Sequence, residues 1–442
     1  MRISVIGCGY LGAVHAAAMV ELGHDVIGID IDPLKVASLA RGEAPFFEPE
    51  LSTLLARGIA SGRLAFSSDA SAARGASVHF IAVGTPQRSD GSADLTYVHA
   101  AIDAVCAVIS PGDVVVGKST VPVGTAASLV SRVEGTGGSL VWNPEFLREG
   151  FAVRDTLEPD RLVYGVREGD ATSVAVLDRV YVDLLTAGRP RMVTDFATAE
   201  LVKVAANAFL ATKISFINAM AEVAEVVGAD VTQLADAIGH DPRIGRRFLN
   251  AGLGFGGGCL PKDIRGFIAR AEELGVGDAL GFLRDVDAIN LRRRDRLVEL
   301  TREAVGGELH GKRVAILGLA FKPNSDDVRE SPALDVAVRL EAEGAHVVAH
   351  DPHAIETSRR MAPWLDYRDA VETTVRGAHA VLVLTEWRDY SELDPVLIRE
   401  SVAERIVIDA RNCLDSTRWR DAGWRYLALG RLNDPVRELA GV

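Results

Sequence analysis

Ile3-Ser4-Val5-Ile6-Gly7-Cys8-Gly9-Tyr10-Leu11-Gly12 opens on a short apolar run, followed by three glycines spaced Gly-x-Gly-x-x-Gly. Helical periodicity then lasts to Leu22, Gly23 interrupts it, and Asp25-Val26-Ile27-Gly28-Ile29-Asp30 predicts a second strand. Together these make a βαβ unit. In such a unit Gly7 permits the tight turn, Gly9 lets the backbone approach a pyrophosphate, and Gly12 allows close helix–strand packing. The helix N-terminus presents unpaired N–H groups to phosphates, with Tyr10 and Leu11 beside it. Asp30 stands where the second strand ends. A carboxylate there accepts hydrogen bonds from both ribose hydroxyls and repels a 2′-phosphate, which favours NAD over NADP. Lys35 is expected along the adenosine edge, and Cys8 reads as a small buried residue beside the turn.

Further strands are predicted at 78–83, 114–117 and 140–142, separated by helical stretches at 96–109 and 125–133. That alternation implies a parallel, doubly wound sheet. Residues 196–227 contain no Gly or Pro, and their apolar positions recur at helical spacing. At 1.5 Å per residue the helix would be about 45–50 Å long, a length suited to bridging domains or forming a dimer seam. More helix is predicted at 231–238, 262–274 and 280–305. A second βαβ unit begins at Arg313-Val314-Ala315-Ile316-Leu317-Gly318, continues through a helix at 331–343, and repeats the rhythm of 25–33 at 346–352. Strands at 380–384 and 406–409 follow. The expected fold is α/β, with two Rossmann-like doubly wound parallel-sheet domains joined by a helical central domain. The expected divisions are 1–195 for the dinucleotide, 196–300 for the helical centre and 301–442 for the second Rossmann-like domain.

The 442 residues are 48% hydrophobic and 25% charged, which excludes disorder as the main state. Forty-eight basic against 61 acidic residues give a net charge of −13, the wrong sign for a general nucleic-acid binder. Four cysteines (Cys8, Cys106, Cys259, Cys413) are too few for a disulfide scaffold, and none are spaced as zinc ligands. A reducing cytoplasm is expected, with no metal. No apolar run reaches the ~18 residues of a membrane span, so no membrane is expected. The apolar N-terminus is better read as strand, turn and helix than as a signal peptide.

Gly254-Phe255-Gly256-Gly257-Gly258-Cys259-Leu260-Pro261-Lys262-Asp263 is the most informative chemical segment. Consecutive glycines lose conformational entropy on folding, which makes sense if the backbone must pass close to a ligand. Cys259 stands near a helix start, where a thiolate is stabilised, with Lys262 and Asp263 within one turn. These residues alone allow either a nucleophile or a small core cysteine. Lys203 and Asn207 lie i, i+4 on one face of the long helix. They suit an oxyanion and a water, or else a lysine stem lying along apolar surface. Glu145 and Glu149, in Asn143-Pro144-Glu145-Phe146-Leu147-Arg148-Glu149-Gly150, are either cleft carboxylates fit for water activation or solvated loop residues. Gly84-Thr85-Pro86 and Lys118-Ser119-Thr120-Val121-Pro122 follow strand ends, so Thr85, Pro86 and Thr120 are candidate neighbours of the nicotinamide half.

In combination these motifs resemble the UDP-glucose/GDP-mannose dehydrogenase family over nearly the whole chain. The resemblance extends through Asn207-Ala208-Phe209-Leu210, Arg243-Ile244-Gly245, Gly318-Leu319-Ala320-Phe321-Lys322 and Arg329-Glu330-Ser331-Pro332. It implies NAD-dependent, four-electron oxidation of a nucleotide sugar at C6, with UDP-glucose as the expected substrate and GDP-mannose or UDP-N-acetylmannosamine as alternatives; a two-electron hydroxyacid dehydrogenase is the remaining alternative. Cys259 matches the nucleophile that forms a thiohemiacetal and then a thioester. Lys203 matches the oxyanion stabiliser, Asn207 and Thr120 the water and hydroxyl partners, and Asp263 a proton-transfer residue. Glu145 matches the carboxylate of thioester hydrolysis. Glu149, Lys262 and Arg329 match cofactor contacts. Phe146, Leu147, Phe248, Phe255, Gly256, Lys322 and Arg411 match the substrate-binding set. Arg243 matches an arginine that reaches a neighbouring subunit's sugar, which implies at least a homodimer. One departure is Gly258, where Ser is common in the family.

Overall fold

A computed structural model describes residues 1–431; the end of the expected 301–442 region, from Leu432 onward, lies outside the described residues. The chain forms two compact units. The first comprises Met1–Ala206 with Arg265–Asp278, and the second Asn207–Ile264 with the chain from Ala279 onward.

The first unit holds eight strands: β1 Arg2–Ile6, β2 Asp25–Ile29, β3 Leu64–Ser67, β4 Val78–Ile81, β5 Val114–Gly117, β6 Ser139–Trp142, β7 Leu162–Gly165 and β8 Arg191–Thr194. Their order is β3-β2-β1-β4-β5-β6-β7-β8. All neighbours are parallel except β6 and β7, which meet antiparallel at a single pair, Trp142 and Gly165. The central strands are apolar on both faces because helices cover both sides, so they read as continuous runs rather than alternating patterns. Helix Tyr10–Glu21 is buried from Gly12 to Val20, and its row of alanines lets it lie close to the sheet.

The second unit holds β9 Arg313–Leu317, β10 His346–His350, β11 Asp366–Tyr367, β12 Ala380–Val383, β13 Ile406–Asp409 and β14 Arg425–Ala428. Here the order is β11-β10-β9-β12-β13-β14, parallel throughout. The first six strands of the first unit and all six of the second therefore share the 3-2-1-4-5-6 order of dinucleotide-binding sheets. In both, the order reverses beside the first strand, where ligands settle.

The long helix spans Phe196–Val227, as the absence of Gly and Pro predicts. By length and composition it would pass as a membrane span. Part of its apolar surface is buried within the two units. Ala199 joins the core of the first unit, and Ile217, Ala221 and Ala224 pack with Val231, Ala235, Leu249 and Ala251 in the second.

Candidate active site

In the first unit the chain leaves β1 and turns at Gly7, whose φ of +87° is a left-handed value that side-chain-bearing residues rarely adopt. A Cβ on Gly12 would stand 1.7 Å from the Gly7 carbonyl oxygen, so only glycine lets the helix approach the strand this closely. A Cβ on Gly9, by contrast, would meet nothing within 4 Å. Gly9 faces open space, and the first turn of helix Tyr10–Glu21 has no side-chain cap. Asp30, buried at the end of β2, accepts from Cys8 N at 2.8 Å and from Asp32 N at 3.0 Å. An open cradle, an uncapped helix start and a carboxylate at the second strand's end all fit a dinucleotide. Lys35 Nζ pairs with Asp30 at 3.0 Å.

The Tyr10 hydroxyl donates to Glu48 and accepts from Gly150 N. Burial, with the Glu48 carboxylate beside it, pushes the phenol well above its ordinary value. Glu48 also accepts from Gly150 N at 2.6 Å and Ala152 N at 2.7 Å. This anchors the far end of the loop that carries Glu145, Phe146, Leu147 and Glu149. The near end is fixed by Asn143, whose Nδ2 donates to Val163 O and whose Oδ1 accepts from Lys118 Nζ and the Tyr181 hydroxyl. Between these anchors Glu145 pairs with Lys203 at 2.8 Å, both side chains nearly buried, and accepts from Leu147 N. The Lys203 ammonium lies 5.8 Å from the Phe146 ring centre, and the Arg161 guanidinium stacks on that ring at 3.8 Å. Thr85 Oγ1 donates to Thr120 O at 2.8 Å, which joins the loops after β4 and β5, and Pro86 O accepts from Asp94 N. One turn before Lys203, Glu200 accepts from Gly124 N and Ala126 N at the start of helix Thr125–Glu134. Burial pushes its carboxyl up to about 7 despite those donors.

In the second unit Cys259 is exposed, whereas Cys8 is buried and Cys106 and Cys413 are partly so. Its carbonyl accepts from Asp263 N at 2.8 Å, which makes Cys259 the N-terminal cap of helix Leu260–Glu273. The thiol thus sits at the positive end of the helix dipole. Behind it, Lys262 Nζ donates to Asp263 Oδ1 at 2.8 Å and Asn207 Nδ2 donates to Asp263 Oδ2 at 2.7 Å. The glycines before the cysteine have a cause within the chain itself. Added Cβ atoms at Gly256, Gly257 and Gly258 would meet Glu330 O at 2.3 Å, the Phe321 ring at 2.7 Å and the Arg329 guanidinium at 2.5 Å. It is the chain's own 321–332 segment that the backbone skirts. Gly258, the departure from the family pattern, is therefore matched to Arg329.

Residues 1–185 match the NAD-binding domain of the UDP-glucose/GDP-mannose dehydrogenase family, 197–292 its central domain and 315–416 its UDP-binding domain. The chain belongs to this family. It is an NAD-dependent dehydrogenase. The UDP-glucose 6-dehydrogenase of Rhizobium meliloti (strain 1021) is 41% identical over 438 residues, covering 98% of this chain and 100% of that protein. A UDP-glucose dehydrogenase structure from the archaeon Pyrobaculum islandicum shares 40% identity with a TM-score of 0.87, covering 97% of this chain and 98% of that one. A UDP-D-ManNAc dehydrogenase structure from Pyrococcus horikoshii shares 28% identity with a TM-score of 0.85, covering 98% and 100%.

The remaining sites proposed for this family member are distributed as follows. Leu11 and Leu147 pack on the core of the first unit, and Glu149 is buried beside Tyr10. Arg329 forks onto Asp327. Lys322 lies over the Phe321 ring. Arg411 donates to the carbonyls of Leu384 at 2.7 Å and Gly254 at 2.8 Å, so it braces the cysteine segment. Arg243 is exposed and paired with Asp241, on a loop held by Lys213 Nζ through the Ile244 and Gly245 carbonyls. Phe248, nearby, has φ +66°. Phe255 is buried, and Asn290 brackets it by accepting from its N–H at 2.8 Å and donating to its carbonyl at 3.0 Å.

Asn290, Glu48 and Asn143 anchor segments of the candidate site, and sequence reasoning missed them. Asn290 shares one face with Arg293, Arg294 and Leu297, all buried. Polar residues at core spacing on a helix were the available clue. Among the described residues no group of three or more His, Cys, Asp or Glu is arranged to hold a metal ion.

Proposed function

We propose that this dehydrogenase oxidises C6 of UDP-glucose to the carboxylate of UDP-glucuronate in two oxidations, consuming two NAD and one water. Whole-length relatives of about 40% identity that bear that activity in their names support the substrate. The observation that carries the mechanism is Cys259: the exposed thiol, at a helix start, with Lys262 and Asp263 in the next turn.

NAD, held at the Gly7–Gly12 turn and Asp30, supplies the hydride acceptor for both oxidations. Thr120 and Asn207 orient the C6 hydroxyl and the water. The first oxidation removes a hydride from C6 and the proton of its hydroxyl, leaving an aldehyde, and Cys259 Sγ adds to its carbon. The carbonyl electron pair moves to oxygen, and the Lys203 ammonium stabilises that oxyanion until it is protonated. Loss of a second hydride and a proton leaves a thioester on Sγ. Water then adds to the carbonyl carbon, its proton passing toward Glu145. The C–S bond breaks, the thiolate is restored and the acid departs. Asp263 handles protons beside the sulfur. Covalent capture prevents a reactive aldehyde from escaping between the two oxidations.

In the same reading residues 1–195 hold NAD, 196–300 carry catalysis and dimerisation and lend the Phe255-Gly256 backbone to the sugar, and 301–442 hold the UDP sugar through Lys322 and Arg411. Phe209, Phe216 and Val223 are exposed seven residues apart on the long helix, a spacing that favours a seam with a second copy. Arg243 then reaches the neighbour's substrate. The four free cysteines agree with a cytoplasmic location.

The test is stoichiometry together with one substitution. Two NADH are expected per UDP-glucose consumed. Cys259→Ser should lower acid formation by a factor on the order of 10³ or more, with UDP-glucose affinity little changed. Undiminished acid formation by that variant overturns the thioester route. Faster turnover of GDP-mannose than of UDP-glucose overturns the substrate assignment.

A further inference from the structure

Lys118 follows β5 and its ammonium is buried. The nitrogen donates to Asn143 Oδ1 at 3.1 Å, and the Phe80 and Tyr181 ring centres lie 5.8 and 6.0 Å away. An amide oxygen and two aromatic faces are unusual company for a lysine, since burying a charge without a carboxylate in contact is costly. The charged groups that act on it are the Glu145 carboxylate, which favours its charge, and the Lys203 ammonium, which opposes it. His15 and Tyr181 also face it. Burial drives the His15 imidazole below its ordinary value and the Tyr181 phenol above its own, so both are neutral. Glu145 therefore acts on two ammoniums, of which Lys203 is its direct partner.

This asymmetry has a use if Lys203 must turn from Glu145 to a substrate oxyanion, as the reading above requires. A buried pair that loses one member leaves an uncompensated charge, and that is strongly disfavoured. A second cation close by removes the penalty. The same cation holds Asn143, the residue that fixes the start of the Glu145 loop.

We propose that Lys118 is a positioning residue for the oxidation: it pins the Glu145 loop through Asn143 and supplies the standing positive charge that lets Lys203 leave Glu145 for the substrate. It touches neither substrate nor cofactor, and it acts through its neighbours. Burial lowers its ammonium to about 8, so the charge is in place below that pH and fades above it.

The experiment compares wild type, Lys118→Met and Lys118→Arg in the full chain, with kcat, KM and melting temperature measured from pH 6 to pH 10. Lys118→Met should lose about ten- to a hundredfold in kcat at pH 7, with KM for UDP-glucose and NAD within about threefold, because the lost interaction serves the transition state. Below about pH 8 the charged lysine promotes proton loss from its neighbours. Removing it should therefore move the acid limb of the pH–kcat profile upward by roughly half a unit to one unit. Lys118→Arg should keep the wild-type acid limb and hold its activity above pH 8, where the lysine loses its charge. A Lys118→Met profile that drops without moving means packing alone, and the proposal falls. It falls equally if kcat is unchanged. Should Lys118→Met lose more than about 10 °C in melting temperature, Lys118→Gln replaces it, and if that variant also fails to fold the residue is structural and the proposal is wrong. If the wild type prefers another nucleotide sugar, the substrate assignment fails, but the comparison among variants is run on that sugar and still decides Lys118.

Discussion

The two Rossmann-like sheets share a strand order and differ in what their first turn can do. After β1, Gly7-Cys8-Gly9 leads straight into helix Tyr10–Glu21, with open space over Gly9. After β9, Gly318-Leu319-Ala320 leads into a long excursion, and no helix begins until Ser331 caps Pro332–Ala342. The carboxylates at the ends of the second strands diverge as well. Asp30 accepts from two backbone amides, Cys8 N and Asp32 N, and pairs with Lys35. Asp351 accepts from Leu319, Ala320, His353 and Ala354 N–H groups and from Trp387 Nε1. One carboxylate is positioned to read a ribose; the other is consumed by its own turn. Strand order therefore marks where a ligand crevice forms, while the turn after the first strand decides whether a dinucleotide is read there.

Three substitutions probe this contrast. The largest effect belongs to Gly12→Ala, whose methyl would overlap the Gly7 carbonyl. Expelling the helix from the sheet costs several kcal/mol, on the order of 3 or more. NAD binding should disappear and the first unit should melt early by calorimetry, while the second unit's transition persists. Next, Asp351→Asn turns an NH2 group toward donors that already crowd the site. A stability loss of about 3 kcal/mol is expected in denaturant titration, with the NAD Kd within about twofold of wild type. A large change in NAD affinity would show that the second turn is not the closed site described above. The smallest effect is the cleanest. Gly9→Ala meets no protein atom within 4 Å, so the melting temperature should hold while the NAD Kd rises about ten- to a hundredfold, equivalent to ~1.4–2.8 kcal/mol. An unaltered Kd would move the pyrophosphate away from Gly9.

What the sequence reveals follows the range of the interaction. Periodicity and punctuation are local, so both βαβ units and the Phe196–Val227 helix are legible to within a residue or two. The loops after β4 and β5 are legible because strand ends in parallel sheets converge, and Thr85 and Thr120 do meet. Long-range pairings are not legible. Nothing near Glu48 announces that it holds the amides of Gly150 and Ala152, more than 100 residues away. Lys35 is visible as a cation near the ribose end, but its pairing with Asp30 is not. Short strands such as β8, largely exposed, and β11, two residues long, carry too little apolar pattern to be read in advance.

The glycines before Cys259 have a consequence for variation. Each lies so close to the 321–332 segment that a single methyl group would collide with backbone, proline, an aromatic ring or a guanidinium. Drift at these three positions is therefore coupled to drift in a segment some 70 residues further along. Serine at 258 asks only the far end of the flexible Arg329 to swing aside, whereas a methyl at 256 meets the Glu330 carbonyl, so the three glycines are not equally free to change.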